Sequence, residues 1–334
     1  MYILFIVLHV FSPHIAYIIL HGKLVFNRFF YFFIKKGDFT MKNLVFEGAG
    51  VAIITPFKNN QVDFDSLGSL IDFQINNKTD AIVICGTTGE ASTLTDEEHR
   101  ACIKYAVERT AGRVPVIAGT GSNDTDYAID LSKYACEVGA DALLLVTPYY
   151  NKATQKGLIK SFFAVADATD KPIILYNVPS RTGCNITTAT YKELAKHERI
   201  VAVKEASGNI SAIAELAATV GDDLAIYSGN DDQIVPLLSL GGKGVISVLS
   251  NIMPKETHDI CELFFKGQVK ESAALQLKLL ELINSLFCEV NPIPAKTACA
   301  LMGMCTEEMR LPLCAMEDNT RARLVAAMKA QNLI

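Results

Sequence analysis

The sequence predicts an α/β protein built on a closed (β/α)8 barrel, a TIM barrel, with three further helices at its C-terminus. Short apolar runs alternate with polar turns and helical segments eight times between residues 50 and 248. The runs follow one another at intervals of about 20–35 residues, which suits a βα unit with a crossover helix. No run is followed by Gly-x-Gly-x-x-Gly, so a closed barrel is favoured over an open doubly wound sheet. The predicted strands are Val51–Thr55, Ala81–Cys85, Val114–Ala118, Ala142–Thr147, Pro172–Asn177, Ile200–Lys204, Leu224–Ser228 and Gly244–Val248.

Helix start signals follow several of these strands. Asp63–Asn76 has apolar residues near helical spacing, and Thr95 stands three residues before Glu98, which is a capping box. Asn123-Asp124 and Asp231-Asp232 are further helix starts. A last barrel helix and three C-terminal helices are predicted over Pro254–Phe265, Val269–Phe287, Pro294–Met302 and Asn319–Asn332.

Residues 1–40 differ in composition from the rest of the chain. They are rich in Ile, Leu, Phe and Tyr, but Pro13 and several histidines interrupt any charge-free span of the ~18 residues that a membrane helix needs. No basic segment precedes the apolar part and no small-residue cleavage site follows it, as a signal peptide requires. We therefore interpret 1–40 as a leader outside the fold, from upstream translation or disordered, with Met41 as the start. The catalytic barrel is predicted over 41–268 and a helical domain over 269–334.

Composition excludes several classes of function. Half of the 334 residues are hydrophobic and the formal net charge is −5, which provides no basic surface for nucleic acid. The nine cysteines are scattered without a Cys-x-x-Cys pair, a pattern that favours reduced thiols in the cytoplasm. The six histidines show no ligand spacing, so no metal site is predicted.

Lys204 ends the sixth predicted strand, directly after four apolar residues. Burial of an ammonium group is unfavourable unless the group is paired or loses its proton. A neutral lysine amine attacks a ketone or aldehyde and forms an imine. The alternatives are a lysine that extends out of the core or one that pairs with Glu205.

Other polar residues end the neighbouring strands, and in a barrel these ends meet at one mouth. Tyr176 ends the fifth strand, where a tyrosine can carry protons to and from the lysine. The turn Gly86–Glu90 offers two hydroxyls and several backbone N–H groups, which suit a carboxylate. Arg181 can bind a second carboxylate in bidentate fashion. A phosphate-binding site formed by Ser228-Gly229 and Gly241-Gly242, after the seventh strand and before the eighth, is a weaker interpretation.

Several segments, in this order, resemble the 4-hydroxy-tetrahydrodipicolinate synthase family, long called dihydrodipicolinate synthases. They are Gly86–Glu90, Tyr149–Asn151, Tyr176–Gly183, Val203–Ala206 and Gly241–Val248. The family belongs to the pyruvate-dependent class I aldolase and N-acetylneuraminate lyase superfamily, and the resemblance runs from residue 41 to the C-terminus.

The resemblance implies a carbon–oxygen lyase that joins pyruvate to L-aspartate 4-semialdehyde through a Schiff base. The product, 4-hydroxy-2,3,4,5-tetrahydrodipicolinate, leads to diaminopimelate and lysine. The resemblance also implies no metal, no organic cofactor, a cytoplasmic homotetramer built as a dimer of dimers, and no nucleic-acid or membrane partner. One alternative is an N-acetylneuraminate lyase or a keto-sugar-acid aldolase, but Arg181 favours the synthase. Another alternative is a non-catalytic protein that binds a keto acid as a sensor.

Residue roles come from the same resemblance. Lys204 would form the Schiff base, and Tyr176 would donate and accept protons beside it. Thr87 and Tyr150 would complete a proton relay, with Tyr150 supplied by the neighbouring subunit. The substrate-binding residues would be Thr88 for the pyruvate carboxylate, Arg181 for the semialdehyde carboxylate, and Gly229 and Ile246 through backbone carbonyls.

A candidate pocket for L-lysine as feedback inhibitor is also implied. Sensitive members of the family tend to have a glutamate where this chain has Tyr127, so weak or absent inhibition is expected. The matching positions are Ser92, Asp96, His99, Asn123, Tyr127 and Tyr149.

Overall fold

The computed structural model describes Ile18–Leu20, Lys23–Val25, Lys42 and residues 44–334. Backbone contacts divide the chain into two units, Met1–Thr40 and Met41–Ile334. In the first unit, Ile18–Leu20 pairs antiparallel with Lys23–Val25. The leader predicted over 1–40 lies for the most part outside the described residues and stays a prediction.

Eight parallel strands of the second unit close into a barrel in which each strand pairs with the strands before and after it in the chain. This order confirms the predicted fold class. The strands are β1 Gly48–Ala52, β2 Ala81–Ile84, β3 Val116–Gly119, β4 Ala142–Val146, β5 Ile173–Asn177, β6 Ile200–Glu205, β7 Ala225–Ser228 and β8 Gly244–Ser247.

Strand β1 begins three residues before the predicted Val51–Thr55, at Gly48. Glycine has low strand propensity, so the pattern of apolar residues did not indicate that the strand begins at Gly48. The backbone needs glycine there because Gly48 has a φ of +116° and a Cβ would lie 2.1 Å from Asp80 Oδ2. That same oxygen accepts a hydrogen bond from the Ala49 N–H at 2.7 Å.

The helices of the described residues surround the barrel and extend it at the C-terminus. Two predicted helix starts are confirmed: Thr95 and Glu98 form the capping box, and Asp124 caps the helix that follows it. At Asp231 a short 3-10 segment forms instead, and the α-helix begins at Ile234. The first predicted C-terminal helix is broken at Leu279 into two. The α-helices are α1 Phe64–Asn76, α2 Asp96–Thr110, α3 Thr125–Glu137, α4 Gln155–Ala168, α5 Pro179–Thr182, α6 Thr188–Leu194, α7 Ile210–Val220, α8 Ile234–Ser239, α9 Pro254–Phe265, α10 Val269–Lys278, α11 Leu280–Ser285, α12 Ile293–Leu301 and α13 Asp318–Ala330.

Apolar residues form two cores, one inside the barrel and one between the strands and the helices. Inside, the Phe46 ring stacks on Tyr227 with centroids 4.3 Å apart. The Tyr227 hydroxyl donates to the Phe46 carbonyl at 2.6 Å. The interior is therefore packed rather than open, and polar chemistry is left to the carboxyl ends of the strands. Within the described part of the chain, no helix has the length and apolar character that a membrane span needs.

Candidate active site

Lys204 lies inside the barrel near the carboxyl end of β6. Its strand neighbours are Tyr176 on β5 and Tyr227 on β7. Ala202 and Ala206, two residues to either side, belong to the interior core, and strand residues alternate between faces. Lys204 is only 6% exposed, so its side chain does not extend out to solvent.

Glu205 points to the opposite side of β6 and does not pair with Lys204. Its carboxylate accepts hydrogen bonds from Asn177 Nδ2 at 3.0 and 3.2 Å, from the Tyr191 hydroxyl at 3.2 Å and from the Ser207 N–H at 2.7 Å. Both structural alternatives for Lys204, extension out of the core and pairing with Glu205, are therefore wrong.

Burial lowers the pKa of Lys204 to about 8. The buried carboxylate of Asp231 opposes this shift, and the positive charge of Arg181 adds to it. An amine with this pKa is in large part neutral near pH 8, which is the form that attacks a carbonyl.

Tyr176 lies beside the lysine, with Lys204 Nζ 4.4 Å from the centroid of its ring. Burial raises the pKa of Tyr176, while Arg181 and a side-chain hydrogen bond with Thr87 act in the other direction. The phenol is therefore protonated near neutral pH and is linked to Thr87. The two hydroxyls form a path along which a proton can move to or from groups at Lys204.

The turn that carries Thr87 and Thr88 is held at its far end. Thr87–Gly89 is a short 3-10 segment, and Glu90 after it has a φ of 53°. The Thr55 hydroxyl donates to the Gly89 carbonyl at 2.7 Å. Glu90 is buried and forms an ion pair with buried Lys296 of α12. The Glu90 carboxylate therefore stabilises the turn through its ion pair with Lys296 and does not face a substrate.

Arg181 lies on the short helix α5, directly after β5. It is exposed in the single chain, and its Nη2 donates to the Asn291 main-chain oxygen at 3.3 Å. The Asn291 side chain donates in turn to the Thr88 hydroxyl oxygen at 2.9 Å. The structure thus brings Arg181 and Thr88 to two sides of one residue.

Gly229 and Ile246 lie at the ends of the next two strands. A Cβ on Gly229 would lie 2.6 Å from the Ala206 Cβ and 3.2 Å from Lys204 Cε. Glycine at this position therefore leaves room for the Lys204 side chain, which packs against it. Ile246 on β8 is fully buried and belongs to the interior core.

Tyr150 differs from the other predicted catalytic residues, because the single chain leaves it 92% exposed. It has a left-handed φ of 67°, which is uncommon for a bulky residue. Asn151 beside it anchors the loop by donating to the Asn123 carbonyl at 2.9 Å.

The residues of the candidate lysine pocket lie on and around α2 and α3. Asp96 is hydrogen-bonded to Tyr127 and forms an ion pair with Arg100 at 2.7 Å. The ring of buried His99 is directed to the Gly119 carbonyl, 2.8 Å from Nε2. Ser92 and Tyr149 are exposed, and the Asn123 side chain is partly buried.

Two residues of the site were missed in the sequence. Asp231 was interpreted as a helix start, but its Oδ2 accepts the N–H groups of Val248 and Leu249 at 3.0 Å each. Burial raises its pKa, although these bonds and Lys204 favour the carboxylate. Asn291 stands before a proline at a helix boundary, where no local pattern connects it to Thr88. The position of Asp231 just after a strand end was the one available signal.

One group of potential metal ligands exists among the described residues, on α9. His258, Asp259 and Glu262 have ligand atoms within 4.8 Å of one another. Asp259 is paired with lysines at 78 and 255, and Glu262 with Lys266. These ammonium groups already neutralise the carboxylates, so the group is better described as a surface ion-pair network.

Sequence relatives are similar over almost the whole of their own length. A 4-hydroxy-tetrahydrodipicolinate synthase of Lachnoclostridium phytofermentans is 61% identical over 292 residues, which cover 87% of this chain and 99% of the relative. One of Clostridium perfringens strain SM101 is 57% identical over 290 residues, with 87% and 100% covered.

Solved structures agree with these relatives. The dihydrodipicolinate synthase of Aquifex aeolicus has a TM-score of 0.85 at 47% identity and covers 86% of this chain and 99% of its own. The enzyme of Cyanidioschyzon merolae, solved with lysine bound, has a TM-score of 0.85 at 40% identity, with 87% and 100% covered. The Dihydrodipicolinate synthetase family matches residues 45–331. With its barrel, its buried lysine and these relatives, the chain belongs to the dihydrodipicolinate synthase family.

Proposed function

We propose that this chain is a 4-hydroxy-tetrahydrodipicolinate synthase, which condenses pyruvate with L-aspartate 4-semialdehyde. The observation that carries the proposal is Lys204, a buried amine without an ion-pair partner among the described residues, whose pKa is lowered to about 8. Tyr176 lies against it, and Arg181 supplies positive charge nearby.

The proposed reaction begins when the Lys204 amine attacks the ketone carbon of pyruvate and water leaves, forming a protonated imine. Loss of a methyl proton gives an enamine, whose carbon attacks the aldehyde and forms the new carbon–carbon bond. The amino group of the semialdehyde then attacks the imine carbon and displaces the lysine amine. The ring closes as 4-hydroxy-2,3,4,5-tetrahydrodipicolinate, on the route to diaminopimelate and lysine.

The surrounding residues receive the following roles in this proposal. Tyr176 transfers protons at the carbinolamine and imine, and Thr87 connects it to Tyr150. Thr88 binds the pyruvate carboxylate and Arg181 the carboxylate of the semialdehyde. Gly229 and Ile246 contribute backbone carbonyls. No step requires a metal or an organic cofactor.

The assembly we propose is a homotetramer, a dimer of dimers in which Tyr150 enters the site of the neighbouring subunit. The 92% exposure of this tyrosine in one chain supports a position at an interface. Catalysis is assigned to 41–268 and the remaining helices to 269–334. We place the enzyme in the cytoplasm, since all nine cysteines are free thiols.

Inhibition by L-lysine is proposed to be weak or absent. Asp96 already pairs with Arg100 and bonds to Tyr127, which leaves little negative charge for an incoming ammonium group. Half-inhibition well below millimolar L-lysine in an activity titration would contradict this.

Borohydride reduction with pyruvate tests the function. Reduction should leave a stable adduct on Lys204, located by peptide mass spectrometry. Lys296, which is also buried but is paired with Glu90, is the internal control and should stay unmodified. Absence of any adduct from active protein would refute the imine mechanism.

Substrate comparison then tests the reaction. Turnover is expected with L-aspartate 4-semialdehyde and not by cleavage of N-acetylneuraminate. Lys204→Ala should remove nearly all activity, and Arg181→Ala should mainly raise the KM for the semialdehyde. An effect of Arg181→Ala on pyruvate alone would contradict the role assigned to it.

A further inference from the structure

Asn291 connects the two groups to which the substrate carboxylates are assigned. Its side-chain Nδ2 donates to Thr88 Oγ1 at 2.9 Å. Its main-chain oxygen accepts from Arg181 Nη2 at 3.3 Å. Asn291 lies between α11 and α12, outside the barrel strands, and is separated from Thr88 by 203 positions in the chain.

The amide of Asn291 is poorly explained by stability alone. The residue is 5% exposed, and its Oδ1 has no hydrogen-bond partner within the described structure. A buried acceptor without a donor is unfavourable. A leucine of similar shape would fill the same space without that penalty, so the benefit of the amide has to lie in the bond that Nδ2 makes.

That bond determines the direction of the Thr88 hydroxyl. An amide NH2 group only donates, so the Thr88 oxygen must accept from it. The hydroxyl proton of Thr88 is then free to point elsewhere. A carboxylate only accepts, and a hydroxyl whose proton is available is the partner that it needs.

The same segment holds the turn at a second point. Lys296, on the first turns of α12, pairs with Glu90 at the end of the Thr87–Gly89 segment. Lys296 and Glu90 are 0% and 2% exposed. The turn is therefore attached to residues 291–296 at both Thr88 and Glu90, which restricts its movement relative to the barrel mouth.

We propose that Asn291 is a positioning residue that orients the Thr88 hydroxyl toward the pyruvate carboxylate. The C-terminal segment thereby contributes to pyruvate binding through Thr88, without touching the reacting atoms. This inference rests on the proposed function, because it depends on the role given there to Thr88.

Asn291→Leu in the full-length enzyme tests the proposal. We expect the KM for pyruvate to rise about tenfold, the loss of one oriented hydrogen bond. The KM for the semialdehyde should stay within about twofold, since the main-chain carbonyl that accepts from Arg181 is unchanged in the variant. At saturating pyruvate, borohydride should still trap the adduct on Lys204.

A double-mutant cycle with Thr88→Val distinguishes orientation from general damage. If Asn291 acts through the Thr88 hydroxyl, Asn291→Leu adds no further increase in pyruvate KM when that hydroxyl is already absent. Additive effects, an equal rise in both KM values, or a fall in kcat with unchanged KM would overturn the proposal. Asn291→Ala, which removes the amide without adding bulk, serves in the same cycle if the leucine variant does not fold.

Wild-type trapping separates the two levels of failure. If the unmodified enzyme forms no pyruvate adduct, the proposed function fails. If it forms the adduct but Asn291→Leu and Asn291→Ala leave the pyruvate KM unchanged, the function stands and the role of Asn291 is refuted.

Discussion

Lys204 and Lys296 are both buried, yet their chemistry differs. Lys296 forms an ion pair with Glu90 and also donates to the Glu308 carbonyl at 3.0 Å. Lys204 has only the more distant charge of Asp231 to favour its ammonium form. Burial lowers the pKa of both lysines. They differ in their partners, because the Lys296 ammonium is engaged by Glu90 whereas the Lys204 amine has no ion-pair partner among the described residues.

The pH dependence of imine formation should follow Lys204. The neutral amine increases as the pH rises through about 8, so kcat/KM for pyruvate should rise over the same interval. Asp231→Asn removes a charge that raises this pKa and should move the midpoint to lower pH. Arg181→Ala removes a charge that lowers it and should move the midpoint to higher pH.

Initial rates of borohydride trapping at low pyruvate, measured across this pH range, provide the check. The two variants control for each other because their shifts have opposite sign. Shifts of the same sign, or no shift in either variant, would show that these charges do not act on Lys204.

Strand β6 carries a buried ionisable side chain on each face. Lys204 faces the interior, while Glu205 faces outward and collects hydrogen bonds from Asn177, Tyr191 and Ser207. The second network joins the ends of β5 and β6 to α6. It keeps the strand end that carries the lysine in register with the strand end that carries Tyr176.

Glu205→Gln should destabilise the fold without abolishing imine formation. Glutamine has one acceptor oxygen in place of two, so buried donors lose their partner, at about 1–3 kcal/mol in the free energy of unfolding. Urea unfolding measures this change. Tyr191→Phe, which removes a single donor, is the matched control and should cost about 0.5–1.5 kcal/mol.

Pyruvate trapping on Lys204 should persist in the folded Glu205→Gln protein, because the carboxylate lies on the opposite face of the strand. Loss of trapping with unchanged stability would place Glu205 in the reaction instead.

The barrel gathers its reactive groups at one mouth, but one predicted member faces away from the single chain. Tyr150 is 92% exposed with a left-handed backbone. Alone it would be an unusually exposed aromatic side chain on a strained loop. In the assembly we propose, a second copy of the chain receives this side chain and removes it from solvent.

Subunit mixing tests whether Tyr150 acts between chains. Lys204→Ala and Tyr150→Phe should each have little activity. After dissociation and reassembly together, one site of each mixed pair combines an intact Lys204 with an intact Tyr150 from the other chain. Activity should therefore return in the mixture, to about a quarter of wild type or less for random pairing.

Each variant dissociated and reassembled alone is the control and should remain inactive. A mixture that stays inactive although mixed oligomers form would show that Tyr150 acts within its own chain.

Much of the fold and site followed from local pattern. Eight apolar runs with helices between them were enough for a barrel, and a barrel brings strand ends such as Tyr176 and Lys204 together. The start of β1 was missed because glycine at 48 lacks a strand signal. Asp231 was assigned to its own helix, whereas its carboxylate bonds across to the backbone after β8.

The repeating pattern of short apolar runs specified the barrel, and with it the mouth at which Lys204 ends. Whether that lysine is paired, and how Thr88 is oriented, depended on contacts between distant segments. Asn291 and Thr88 are 203 positions apart, and Lys296 meets Glu90 through packing of the C-terminal helices. Periodicity encodes which face of an element is buried. The partner that a buried polar group meets is set only when the elements pack together.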